Sequence, residues 1–551
     1  MSMATLWALL LYACATAAFP DVQLPLASTW THGSTSTKRI AVVGTGSGGL
    51  AVLKALVELP MEMRQGWEIV AFEKREDVGG VWLPDWDVSP TRRPQSPLYP
   101  TLRTNAPHPS MTIPWYPFPP DTPLLARHQD VLQYHRNIVS DFGLAPYIKF
   151  QHSVESASWT GNAWNLTVLN VAHNSTEFFE FDHLIAAPGF NAYPRVPHLE
   201  GQEAWLEADS SRSIIHCMWY RDPTAFKGKN VAVLGGGPSG WDMVRKIEPY
   251  ANAMYWSRDN KTEAPAAPPF PSIPGVPDVK HVASLHANGS VLLTDGNWLE
   301  NVDTFILATG YEMRIPFLTA GGVLDEVKDP QPADRLTTNL RYIHPLYEQT
   351  LSLDPSYPLG ALYFGGVLTY NPTGSTNAAQ GLFIAYTIAQ PELLKSRDEL
   401  YALLKRREAF IRAEGFEPSR LGPKYGHGYG PFTGHLGNGS YEQLIVDYLV
   451  ERSDGKLAGY PGFPPNGQNY TEGWRLWTMK RGMDIVFGFH DGIAREGADA
   501  WDRRWTKGLN SEADYVHAMH EFIDWLAEQK KNDTTRAFVD NPTDSGALWW
   551  L

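Results

Sequence analysis

Cysteine is nearly absent: 551 residues contain 2, Cys14 and Cys217. No Cys-x-x-Cys pair exists, which excludes dithiol redox chemistry. No intramolecular disulfide is expected either, and a chain of this length buries enough core to hold without one. Positive charge is also in deficit, with 46 Lys and Arg against 60 Asp and Glu and a net charge of -14. That balance argues against nucleic acid and against an anionic membrane surface as partners. There is no low-complexity tract, no repeat of solenoid period and no apolar run long enough to span a bilayer comfortably. No metal-ligand set stands out.

Apolar and aromatic residues, by contrast, are plentiful. The chain is 43% hydrophobic and 12% aromatic with 20 Trp, enough for a large core and an apolar pocket, and its length allows two or three domains. Met1 to Ala18 carries no charged side chain and holds the run Leu6 to Ala13, followed by small residues suited to signal-peptidase cleavage near Ala18. The segment 1–18 is therefore expected to be a signal peptide that directs the chain to the secretory pathway, secreted or vesicular. Seven N-x-S/T triplets support that destination as glycosylation acceptors: Asn165, Asn174, Asn260, Asn288, Asn438, Asn469 and Asn532.

The most informative stretch is Lys38 to Glu73. Arg39-Ile-Ala-Val-Val43 reads as a buried parallel strand and leads into Gly44-x-Gly46-x-x-Gly49 and the helical spacing of Leu50 to Leu56. A second strand, Glu68 to Phe72, ends on Glu73, an acid about 20 residues beyond the glycines. Gly44 permits the tight turn, Gly46 lets backbone approach a pyrophosphate, and Gly49 lets helix pack on strand. The helix N-terminus then receives the pyrophosphate, and Glu73 accepts from a ribose hydroxyl.

The pattern recurs at Asn230-Val-Ala-Val-Leu234, Gly235-x-Gly237-x-x-Gly240 and Ala253 to Trp256. This second strand ends on Ser257-Arg258, a hydroxyl and a guanidinium that suit a 2′-phosphate where an acid suits a bare ribose. Two fingerprints of different polarity imply two dinucleotides, FAD at the first and NADPH at the second. Between them, Arg127 to Phe142 has helical spacing, and Ile148 to Asn170 alternates like an antiparallel hairpin pair closing on Phe181 to Gly189. Asp303 to Tyr311 is expected to return the chain to the first domain, Ala361 to Gly366 to meet the flavin site, and Asn377 to open a helix. The last part, helical and then rich in Gly, Pro and aromatics, carries no motif.

Taken together, Gly44-x-Gly46-x-x-Gly49, Glu73 with Gly79-Gly80-x-Trp82, Leu102-x-Thr104-Asn105, His216-x-x-x-Tyr220, Gly235-x-Gly237-x-x-Gly240 and Ala308-Thr-Gly-Tyr311 resemble the class B flavin-dependent monooxygenases, the flavin-containing and Baeyer–Villiger group. The resemblance runs from about Lys38 to Gln390. Ser210 and Arg212 stand where the family fingerprint has Phe and Gly ahead of His216, and Ala187-Pro188-Gly189 replaces the first Ala-Thr-Gly. The family pattern implies an α/β fold of two Rossmann-like dinucleotide-binding domains, the NADPH domain inserted in the FAD domain, with a mixed C-terminal extension. The expected boundaries are 38–200 and 298–400 for the FAD domain, 201–297 for the NADPH domain and 401–551 for a C-terminal covering subdomain.

The chemistry it implies is reduction of FAD by NADPH, capture of dioxygen as a flavin hydroperoxide, and transfer of one oxygen to a small organic substrate of aromatic or polyketide type. Baeyer–Villiger oxidation of a ketone is the alternative within the class, and a non-catalytic flavoprotein scaffold the alternative outside it. Asn105 and His216 are expected to be catalytic. The flavin is expected to touch Gly44, Gly46, Ser47, Gly49, Glu73, Gly80, Trp82 and Asn105. NADPH is expected at Gly235, Gly237, Ser239, Gly240, Ser257 and Arg258, with Thr309, Gly310 and Gln380 contributed by the returning chain.

Overall fold

A computed structural model of the protein describes residues 37–532 except 90, 259–269, 329–334, 369–372, 414, 423–440 and 465–467. The expected signal segment, Asn260 and Asn438 therefore lie outside the described residues. The chain opens with β1 (Arg39–Val43), α1 (Ser47–Glu58) and β2 (Glu68–Glu73), then α2 (His128–Asp141) and β3 (Ile148–Phe150). An antiparallel trio follows, β4 (His152–Trp159), β5 (Trp164–Asn170) and β6 (Ser175–Phe181), before β7 (His183–Ala186). The second nucleotide unit comprises β8 (Ser213–His216), β9 (Asn230–Leu234), α3 (Pro238–Ile247), β10 (Ala253–Ser257), β11 (Asp278–Val279) and β12 (Thr304–Leu307). Then come β13 (Leu346–Tyr347), β14 (Leu351–Ser352), β15 (Leu362–Phe364) and α4 (Thr373–Ala389). The principal remaining helices are α5 (Arg397–Ala413), α6 (Tyr441–Arg452), α7 (Gly473–Glu496), α8 (Ala498–Thr506) and α9 (Glu512–Asn532).

The first sheet runs β13-β14-β15-β7-β1-β2-β3, parallel from β15 onward and antiparallel at β13 and β14. In β1, Ile40 and Val42 pack with α1 and α4, while Ala41 and Val43 pack against the antiparallel trio through Trp164, Leu166 and Phe181. Both faces are covered, which is why β1 reads as an unbroken apolar run rather than an alternating one. The second sheet, β11-β10-β9-β12-β8, is parallel throughout. It lies between strands of the first in chain order, as expected for an inserted domain.

Two expectations are corrected by strand pairing. Ile148 to Asn170 is a hairpin pair only from His152 onward, where β4 and β5 pair antiparallel and β6 adds a third strand; Ile148–Phe150 joins the parallel sheet beside β2 instead. Alternating short runs look alike in sequence, and only pairing assigns them to a sheet. Thr304–Leu307 does not return to the first domain. It lies between β9 and β8, so the second domain extends past residue 297 to the end of β12.

The C-terminal part is not one cover. Leu400, Leu404, Ile411, Ile445 and Leu449 of α5 and α6 join the first core. In contrast, Ile485, Phe489, Trp501, Phe522 and Leu526 of α7, α8 and α9 pack with Trp241 and Val244 of α3. No helix among the described residues is long and apolar enough to cross a membrane.

This packing encloses titratable groups. His108 lies between the rings of Phe118 and Tyr515, at centroid distances of 4.9 and 4.4 Å, and burial pushes its pKa down to about 3. Burial holds His135 and His216 at about 4. A histidine whose folded pKa is depressed charges in the unfolded chain first, so stability is lost as pH falls from about 6.5 towards 4. Each such residue costs about 2 kcal/mol at pH 5 relative to pH 7. Denaturant unfolding of wild type and His108→Phe at both pH values tests this: the variant should lose about 2 kcal/mol less, and an equal loss would refute the account.

Candidate functional site

Three glycine turns meet at the C-terminal end of β1. Gly44 has φ +101°, and a Cβ there would sit 2.4 Å from the Ala187 carbonyl oxygen that follows β7. A Cβ on Gly49 would lie 1.9 Å from the Gly44 carbonyl oxygen, so α1 packs on the turn at a distance only glycine allows. Gly79 donates its N–H to the Thr45 carbonyl at 3.0 Å, and Gly80 faces Gly46, where a Cβ would meet the Gly46 Cα at 3.0 Å. Beyond β15, Gly366 abuts Gly48, where a Cβ would come within 2.8 Å of the Gly366 Cα. Gly46 caps α1 without any side-chain hydrogen bond, which leaves the helix N-terminus open to an anion.

The side chains around this turn divide into those free to meet a ligand and those already committed. Glu73 is buried: one carboxylate oxygen accepts from the Thr45 N–H and hydroxyl, both at 2.9 Å, and the other from the Arg75 N–H at 3.0 Å. It therefore fixes the glycine turn from the position expected to read the ribose. Ser47 at the start of α1 bonds His135 Nε2 at 2.8 Å, while His135 Nδ1 bonds the Val131 carbonyl at 2.8 Å. Since burial keeps His135 neutral near pH 7, Nδ1 carries the proton and Nε2 accepts from Ser47. Trp82 is half-buried against the first core.

Gln380 was expected at the cofactor and lies behind it. It is fully buried, accepts from the Gly366 N–H at 3.0 Å and donates to the Tyr441 hydroxyl at 3.1 Å, so it shapes the turn that touches Gly48. Beside it, the buried Glu442 accepts from Ser375 and Thr376 in the first turn of α4, at 2.8 and 3.1 Å. Sequence reasoning missed Tyr441 and Glu442 because they sit in an unremarkable helix without a local motif.

The second turn repeats the first. Gly235 has φ +127° with its Cβ position 2.2 Å from the Ala308 carbonyl oxygen, and a Cβ on Gly240 would lie 2.0 Å from the Gly235 carbonyl oxygen. Trp256 Nε1 donates to that carbonyl at 2.9 Å. Gly237 caps α3 without a side-chain bond, a Cβ there would meet nothing within 4 Å, and Ser239 is exposed. An uncapped helix end beside open space fits a second pyrophosphate. The residues present thus fit two dinucleotides.

Ser257 and Arg258 are a correction. Ser257 is buried and donates to the Lys280 carbonyl at 3.0 Å. The guanidinium of Arg258 lies 3.8 Å over the Trp256 ring and grips Asp278 through Nε at 2.9 Å and Nη2 at 2.6 Å. It also donates to Ser272 Oγ at 2.8 Å and to the Phe270 carbonyl. Its charge is spent on a carboxylate within the domain, so Arg258 braces the segment after β10 instead of standing free for a 2′-phosphate.

His216 is likewise a positioning residue. Its Nδ1 accepts from the Met218 N–H at 3.1 Å and its Nε2 bonds the Gly310 carbonyl at 3.0 Å, with the ring packed edge-on to Tyr311. With pKa about 4 it stays neutral and ties the end of β8 to the return connection at Gly310. Thr309 donates to the Arg195 carbonyl at 2.5 Å, and Arg195 N–H donates to the Gly310 carbonyl at 2.9 Å, so these residues close the same junction. Asn105 differs: it sits exposed at a bend, and its side chain makes no hydrogen bond to protein among the described residues. Its amide is available to a ligand. Among the acceptor triplets, Asn165, Asn174, Asn288 and Asn469 are exposed, and the side chain of Asn532 lies outside the described residues.

Residues 37–262 match the family described as FMO-like, flavin-binding monooxygenase-like. Senecionine N-oxygenase of Tyria jacobaeae is 27% identical over 333 residues, covering 58% of this chain and 66% of that protein. The match thus spans just under two thirds of that relative. Flavin-containing monooxygenase FMO GS-OX5 of Arabidopsis thaliana is 26% identical over 463 residues, 80% of this chain and 88% of the relative. Among solved structures, S-allyl-L-cysteine S-oxygenase from Allium sativum superposes with a TM-score of 0.64 at 20% identity, covering 90% of this chain and 99% of its own, a likeness of fold.

The Arg258 geometry makes a direct prediction. Arg258→Ala should lower unfolding stability by about 2 kcal/mol, a value discounted because Asp278 keeps contact with solvent. It should weaken NADPH and NADH by the same factor in binding titrations. A loss confined to NADPH would restore Arg258 as a 2′-phosphate ligand.

Proposed function

Because residues 37–262 match the flavin-binding monooxygenase-like family, we propose that this chain is a flavin monooxygenase that uses FAD, NADPH and dioxygen to place one oxygen atom on a small organic substrate, the other oxygen leaving as water. The observation that carries this reading is the doubled glycine cradle. Two turns of the same build each end in a helix N-terminus with no side-chain cap. FAD is assigned to the first and NADPH to the second. When bound, the flavin supplies the redox and oxygen-activating chemistry.

The protein's own contribution is geometric. The Gly44–Gly49 turn and the start of α1 hold one pyrophosphate by backbone N–H groups, with Glu73 fixing the turn. The Gly235–Gly240 turn and α3 hold the other. Asn105 offers an amide donor at an exposed bend, suited to a developing negative charge on oxygen or to the nicotinamide amide. His216 anchors the return connection at Gly310 to the end of β8 without taking part in proton transfer at neutral pH.

Of the three proteins named above, one is an N-oxygenase and another, alike in fold, is an S-oxygenase. A soft nitrogen or sulfur atom in a small secondary metabolite is accordingly the substrate class we favour over carbon hydroxylation or Baeyer–Villiger insertion. A secretory location belongs to the same reading, supported by the exposed acceptors Asn165, Asn174, Asn288 and Asn469.

Purified protein reduced anaerobically with NADPH should lose the flavin band at roughly 450 nm, and admitting oxygen with a thioether or tertiary amine should give the S- or N-oxide. An ester from a ketone substrate would move the assignment to Baeyer–Villiger chemistry. Failure of NADPH to reduce bound flavin would favour the scaffold reading. Protein secreted from a eukaryotic host should lose mass on endoglycosidase treatment; an unchanged mass would remove the secretory assignment.

A further inference from the structure

The segment that carries Asn105 is held from the far end of the chain. Residues 102–108 and 124–128 run antiparallel as a narrow ribbon: the Thr104 N–H donates to the Ala126 carbonyl and the His108 N–H to the Leu124 carbonyl, both at 2.9 Å, with a bridge between Arg103 and Arg127. Asn105 sits at the bend of the first strand, one residue from Thr104, whose hydroxyl closes the bend on the Ala106 carbonyl at 2.8 Å. Neither ribbon strand belongs to a larger sheet, so its own ladder is too short to fix the bend.

A single buried carboxylate supplies what the ladder lacks. Asp502 of α8 accepts from Arg103 Nη1 at 3.1 Å and Nη2 at 2.8 Å, a fork-on-fork pair, and from Arg127 Nη2 at 2.9 Å. It therefore ties both strands of the ribbon at one point. The side chains of Arg103 and Asp502 are only 9% and 7% exposed, so this pair is shielded from the solvent screening that weakens surface ion pairs. Arg103 has a further bond to the Leu125 carbonyl at 3.0 Å. The flanking chain is fastened to the same helices: Arg475 of α7 donates to the Pro109 carbonyl at 3.0 Å, and the Tyr515 hydroxyl of α9 to the Thr122 carbonyl at 3.0 Å.

We propose that Asp502 is a positioning residue for Asn105, and that α7, α8 and α9 form a clamp that sets the bend at which Asn105 meets the cofactors. It acts through Arg103, two residues from Asn105, and touches neither cofactor nor substrate. Its catalytic consequence rests on the monooxygenase reading above. A loosened bend lets the Asn105 amide wander, and reducing equivalents then escape as hydrogen peroxide instead of reaching product.

The test compares the full-length holoenzyme as wild type, Asp502→Ala, Asn105→Ala and the double variant, by amide hydrogen exchange and by the fraction of NADPH oxidised that ends as peroxide. In Asp502→Ala the amides of Thr104 and His108 should exchange at least about tenfold faster, while those of β9 keep their wild-type rates. The peroxide fraction should rise several-fold, and the double variant should be no worse than Asn105→Ala alone, since residues acting as one unit are not additive. Unchanged exchange at residues 102–108, equal loosening of β9, or multiplicative peroxide effects would each overturn the proposal. Should Asp502→Ala not fold, Arg103→Lys keeps the charge but loses the fork and should show the same signature in milder form. A wild type that oxidises no NADPH would defeat the functional reading alone, and the exchange rates would still decide the clamp.

Discussion

Close approach of backbone to backbone is the constraint on which the rest of this structure depends. At Gly44 and Gly235 the chain turns so tightly against the carbonyls of Ala187 and Ala308 that a single Cβ would collide with them. Each turn then delivers a helix whose first N–H groups are left without side-chain partners. Unpaired backbone donors are costly when shielded from water, so such an end implies a ligand rich in acceptors. The parallel sheets, their register and the helices packed on them hold these two turns in place.

Around that frame, many residues with the chemistry of ligands do structural work. Glu73 braces its turn, Gln380 shapes the Gly366 turn, Arg258 is neutralised by Asp278, and His216 ties the end of β8 to the return connection at Gly310. Each is polar, buried and satisfied by protein. Among the described residues, the groups left open around the two turns are the helix N-termini and Asn105. A site built this way takes its precision from backbone and supporting hydrogen bonds, and leaves the difficult chemistry to bound cofactors.

The C-terminal helices contribute to both halves of this arrangement. α5 and α6 complete the first core, and Tyr441 and Glu442 reach the starts of the turns near Gly366 and α4. α7 to α9 cover α3 and fasten the ribbon of residues 102–128. A segment without a motif of its own can still govern a site, because an ion pair between residues 103 and 502 needs no local signature.

What the sequence determined by itself was local and periodic. Glycine spacing, a β-branched run before it, helical spacing after it and an acid at the next strand end were enough to read both nucleotide turns, since each requirement falls within about 35 residues of chain. Tertiary structure alone decided which sheet received Thr304–Leu307 and Ile148–Phe150, because strands of similar composition are distinguished only by their partners. It alone decided that Arg258 faces Asp278, that His216 spends both nitrogens on backbone, and that Asp502 stands beside Arg103. The reason is physical: a side chain's chemistry is fixed by its type, but whether that chemistry is free depends on what the fold places within hydrogen-bond distance.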